Sequence, residues 1–167
     1  MRTLLSTLIA VAALASIAGA APLSPGERES YRKLADSIHG MIASLSDRYP
    51  QLSDYRHGGW RESAPDRFWL AYHYSKGVGW KPNPKRRPGV KGDARIKTFT
   101  PDGVSLDLYF FEGEWTGQAA VHPKTLGKIR LVMFLEGPST PEFASLQKEI
   151  GKIVDESAIK AAKRQGP

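Results

Sequence analysis

Three stretches of this chain, residues 67–75, 104–111 and 128–136, each alternate two kinds of side chain. One row is almost wholly apolar: Phe68, Leu70, Tyr72 and Tyr74, then Val104, Leu106, Leu108 and Phe110, then Ile129, Leu131, Met133 and Leu135. A period of two is the signature of a strand, whose successive side chains point to opposite faces. Three such runs demand a sheet with one sealed face, which is the strongest constraint on what the chain can become. Short connections favour antiparallel neighbours. Ala94–Thr100 reads as a weaker strand that ends at the turn Pro101-Asp102-Gly103. Glu112-Gly113 is expected to turn the chain into a further strand over Trp115–Val121.

Helical patterns flank the strands. Ser24-Pro25-Gly26-Glu27 carries a capping box and an early proline. Tyr31, Leu34, Ile38, Met41, Ile42 and Leu45 then recur at helical spacing until Tyr49-Pro50 stops the helix. Residues 50–66 are polar and turn-rich. Near the other end, Thr140-Pro141 starts a helix with Phe143, Leu146, Ile150, Ile153 and Val154 on one stripe. Lys160, Lys163 and Arg164 suit its C-terminal dipole. The expected fold class is α+β: an antiparallel four- to five-stranded meander with N- and C-terminal helices packed on one face.

Residues 1–20 read as a cleavable signal peptide. Arg2 supplies the positive start, Leu4 to Ile17 the apolar stretch, and Ala18-Gly19-Ala20 the cleavage signal. The expectation is an exported protein, periplasmic or secreted, with residues 21–167 forming one domain. A chain of that size buries roughly 68% of its unfolded surface, enough for a core held by packing alone. Packing must suffice, because the sequence has no cysteine and therefore no disulfide, thiolate metal site or cysteine nucleophile.

The formal charge is +7, and its distribution is uneven. Arg67 to Gly92 contains no acid but holds Arg67, Lys76, Lys81, Lys85, Arg86, Arg87 and Lys91. With Arg2 removed, the remainder of the chain is close to neutral. Residues 76–92 are rich in glycine and proline and read as one long basic loop. Such a cluster attracts polyanions. Lys81, Lys85, Arg86, Arg87 and Lys91 would supply charge, and Trp80 a stacking surface. The partners such a loop suits are an anionic polymer, lipid head groups or an acidic protein, with nucleic acid as an unspecific case. A charge run is also commonly plain solvated surface.

The second row of the sheet is unusual. It places Trp69, His73, Asp107, Tyr109, Phe111, Arg130, Val132 and Phe134 on one face. Wet faces of antiparallel sheets normally show simple polar alternation. This mixture suits a small-ligand cleft lined by Trp69, Tyr109 and Arg130, a dimer interface, or a face covered by the 50–66 segment with Trp60.

Catalytic signals are weak. His73 and Asp107 form a candidate general-base dyad, beside which Arg130 or Lys128 could hold an anionic substrate. His39 falls among core-facing helix positions. His57-Gly58-Gly59 has the look of an oxyanion-hole segment, but no G-x-S-x-G elbow accompanies it. His57, His73 and His122 form no HxH or HExxH pair, so neither metal nor cofactor is expected.

Overall fold

The computed structural model describes residues 21–52, 60–64, 67–85, 94–117 and 119–164; for residues 60–62 it describes the backbone only. The segment read as a signal peptide lies outside the described residues. Among those described, no helix is long and apolar enough to cross a membrane.

Helix α1 spans Pro25–Ala43. Its start is the capping box anticipated from sequence: Glu27 N–H donates to Ser24 Oγ at 3.3 Å, and Ser24 N–H donates to Glu27 Oε2 at 2.8 Å. Two orphan backbone donors are thereby satisfied. The α-helix ends earlier than Tyr49-Pro50 suggested, and 3-10 turns over Ser44–Asp47 and Pro50–Leu52 carry the chain onward. Helix α2 spans Pro141–Arg164, and Thr140 caps it through a 3.2 Å bond from the Phe143 N–H.

Between the helices lie β1 (Trp60–Ser63), β2 (Trp69–Pro82), β3 (Arg95–Phe111), β4 (Lys124–Leu126) and β5 (Ile129–Glu136). They form one antiparallel sheet in the order β1-β2-β3-β5-β4. The first three strands meander in sequence. The chain then bypasses the slot beside β3, forms β4 at the outer edge, and returns as β5 to pair with β3.

The apolar row packs on both helices. Leu70, Leu106, Leu108 and Phe110 are fully buried and meet Ile38 and Ile42 of α1 and Leu146 and Ile150 of α2 in one cluster. Burying each such side chain contributes about 1.5–3 kcal/mol. Tyr72 and Tyr74 turn their hydroxyls to polar groups on α1: Tyr72 bonds to Asp36, and Tyr74 Oη lies 2.9 Å from His39 Nδ1. Burial holds the His39 imidazole below its ordinary pKa, with Asp36 opposing that shift.

Four further local expectations change. The 50–66 segment contains strand β1. Trp115–Val121 forms no strand among its described residues; the short strand Lys124–Leu126 follows instead. Residues 76–82 are not loop but the second half of β2. The turn Pro101-Asp102-Gly103 does not reverse the chain, because β3 runs through it and pairs with β2 on both sides.

That last change has a clear geometry. Lys76 pairs with Val104 and Val78 with Phe99, so residues 100–103 stand opposite the single residue Gly77. Gly77 has φ 57°, and a Cβ there would lie 2.1 Å from Thr100 Oγ1. A Cβ on Gly103 would lie 2.6 Å from the Gly77 carbonyl oxygen. Only glycine permits this approach and this φ. Beyond the mismatch, Val78–Pro82 and Arg95–Phe99 pair only with each other among the described residues, as a two-stranded ribbon. Asn83 N–H donates to Ala94 O at 3.0 Å across the ribbon's end.

Candidate functional site

The register brings the whole mixed row to one face. Trp69 pairs with Phe111, Ala71 with Tyr109, and His73 with Asp107; on the other side Phe111 pairs with Arg130, Tyr109 with Val132, and Asp107 with Phe134. The two ends of this face then differ.

One end is a second small core. Trp115 folds back from the chain after β3 and sets its ring 6.3 Å from Trp69, 5.4 Å from Tyr109, 5.5 Å from Phe111 and 6.1 Å from Phe134. Its indole N–H donates to Ala119 O at 3.0 Å, which anchors the cover. Aromatic rings at these separations add to the stabilisation from burial. Arg67 lies over Trp69 at 5.6 Å, and Arg130 pairs with Glu114 at 3.4 Å. The residues read as ligand contacts at this end, Trp69, Tyr109 and Arg130, are thus engaged by the protein itself. The cover comes from Trp115, while the Trp60 side chain lies outside the described residues.

The other end is open. A groove of about 290 Å³ runs from His73 and Asp107 past Ser105 to Lys97 and Trp80. Trp80 reaches this face because of the Gly77 mismatch. Gly77, with its positive φ, breaks the alternation of β2 where four residues of β3 stand opposite it, so Val78 and Trp80 line the same groove as His73 and Ser75. Trp80, read from sequence as the stacking surface of the basic stretch, therefore shares one groove with the His73/Asp107 pair.

His73 Nδ1 donates to Asp107 Oδ1 at 3.0 Å. That is the bond expected of an oriented imidazole. The cations expected to serve such a dyad are elsewhere. Arg130 is at the aromatic end, and the Lys128 ammonium pairs with Glu27, whose carboxyl is held down to about 2, chiefly by that hydrogen bond. The lysine that does lie in the groove is Lys97. It pairs with Glu136, donates to Ser105 Oγ at 3.3 Å, and stands 5.9 Å from the Trp80 ring centre. Trp80 remains 52% exposed.

The basic residues of the acid-free stretch divide into groups. Arg67 stacks on Trp69, and Lys76 pairs with Asp102 at 3.4 Å. The Asp102 carboxyl is held below its ordinary range, first by the Thr100 hydroxyl and less by Lys76. Lys81 is exposed on the ribbon and Lys85 just beyond its end, where the Lys85 N–H closes an Asx turn onto Asn83 Oδ1 at 3.0 Å. Arg86, Arg87 and Lys91 lie outside the described residues, as does His57. Among the described residues no group of acids and histidines is placed to hold a metal ion. His122 is exposed beside β4, remote in register from His73.

Sequence reasoning missed Lys97, Ser105, Glu136 and Trp115. Lys97 joins Trp80 only once β2 is known to continue past Gly77. The sequence places Trp115 in a strand, where its ring would not fold back over the sheet. No protein-family model, curated protein or solved structure matches the chain.

Proposed function

We propose that this is a small exported binding protein that engages an anionic polymer or surface through the basic β2–β3 ribbon. The observation that carries this reading is the exposed Trp80, with Lys97 and Lys81 beside it on the ribbon and Lys85 just past the ribbon's end. No ion pair ties Lys81 or Lys85 to a described acid, unlike Lys76 and Lys97. Arg86, Arg87 and Lys91 add charge to the same connection in sequence. Clustered cations with one aromatic platform attract polyanions at long range and hold them at contact. The leader-like residues 1–20 support export.

The test is binding of polyphosphate, an acidic oligosaccharide and anionic vesicles at two ionic strengths. If about four cations engage, affinity falls tens-fold between about 50 and 200 mM salt. The combined substitution Lys81→Glu, Lys85→Glu, Arg86→Glu and Arg87→Glu abolishes binding. Affinity that survives this charge reversal would remove the proposal.

A further inference from the structure

The groove at the base of the ribbon has a different charge balance from the ribbon. Its one lysine, Lys97, is already paired with Glu136, and Asp107 adds a second carboxylate. A free anion gains nothing by entering. A neutral ring bearing hydroxyl groups does gain. An ionised carboxylate accepts at about four positions, so the single bond from His73 leaves Asp107 able to accept from ligand hydroxyls. Charge-assisted bonds of that kind are the strong ones. Ser105 Oγ, buried and held by Lys97, adds a further polar group to the wall. The same groove is lined by the exposed indole of Trp80, a flat apolar platform. The volume, about 290 Å³, lies just below the roughly 300 Å³ at which drug-sized pockets begin, which fits one ring rather than a chain.

From this juxtaposition we infer that the groove is a subsite for a single sugar ring of an anionic glycan. The ring stacks on Trp80 and gives hydroxyl bonds to Asp107, while the glycan's charged groups lie outside, along Lys81 and Lys85. This inference rests on the proposed polyanion binding and names its ligand class. It separates a glycan from polyphosphate, which has no ring or hydroxyl to place. It also disfavours nucleic acid, in which every sugar brings a phosphate close to Asp107 and Glu136.

The experiment titrates the full chain with an oligosaccharide of alternating neutral and carboxylated rings, with polyphosphate, and with polyuridylate. The expected result is that Trp80→Ala and Asp107→Asn each weaken the oligosaccharide about tenfold, the first by loss of ring stacking and the second by loss of a hydrogen bond to a charged group. Polyphosphate, with no ring to stack and no hydroxyl to give to Asp107, loses clearly less than the oligosaccharide in Trp80→Ala and loses nothing in Asp107→Asn. Trp80→Ala removes an exposed side chain, so it reads the site even if Asp107→Asn disturbs the sheet. Oligosaccharide affinity unchanged in both variants overturns the inference, as does an equal loss for polyphosphate. Tighter, variant-sensitive binding of polyuridylate overturns it in favour of nucleic acid. If polyphosphate binds and the oligosaccharide does not, the sugar subsite falls alone. If neither binds the unmodified chain, the polyanion reading falls with it.

Discussion

Strands β2 and β3 lie side by side on both sides of Gly77, but under two different regimes. Residues 69–76 and 104–111 sit inside the sheet, with β1 or β5 alongside part of each and both helices behind. Residues 78–82 and 95–99 have only each other as strand neighbours among the described residues. In the first half, Leu70, Leu106 and Phe110 are fully buried. In the second, the largest side chain, Trp80, is half exposed. A two-stranded hairpin is marginal by itself. The ribbon is tied to the body through Lys97, which reaches both Ser105 and Glu136. The difference teaches that one pair of strands can hold a core with one half and present a binding surface with the other.

Three substitutions probe that contrast. The largest effect is expected in the inner half: Phe110→Ala leaves a cavity under both helices and costs about 3–5 kcal/mol, read from the denaturant midpoint. At the boundary, Gly77→Ala forces a left-handed φ on a side chain that meets Thr100, at a cost of about 1–3 kcal/mol. Its signature is faster amide exchange in 78–82 and 95–99 ahead of 104–111. If both halves loosened together, the boundary drawn at Gly77 would be wrong. Smallest is Lys97→Ala, which removes a part-exposed ion pair worth about 0.2–1 kcal/mol. Exchange in the ribbon should rise while the global midpoint barely moves. A large drop in the midpoint would show that the ribbon is part of the core's cooperative unit.

The inner half was the legible half. Leu106, Leu108 and Phe110 alternate with Asp107 and Tyr109 because one face of that strand is sealed by helices. The pattern also placed His73, Asp107 and Tyr109 on a common face, since register and parity follow from the same burial. The ribbon is only half legible: Ala94–Thr100 reads as a weak strand, but no residue of 78–82 or 95–99 is buried, so neither strand carries a sealed apolar row, and Gly77, Gly79 and Pro82 read as turn. Pro82 is tolerated because it ends the strand. Pro101-Asp102-Gly103 reads as a turn, yet β3 runs through it. Whether such a segment reverses a chain or bulges from a strand depends on β2, a partner distant in sequence. The order β5-β4 at the far edge was hidden too, because β4 is only three residues long. Trp115 belongs to the same class: its place is set by four rings from three strands.

The mismatch of residues 100–103 against Gly77 also bears on how such a chain can vary. Pairing beyond the mismatch is not continuous with pairing inside the sheet. Equal, even-numbered additions to both ribbon strands would leave every core neighbour where it is and keep the same side chains outward. The arm's reach is thus a free dimension, adjustable without renegotiating the body that carries it.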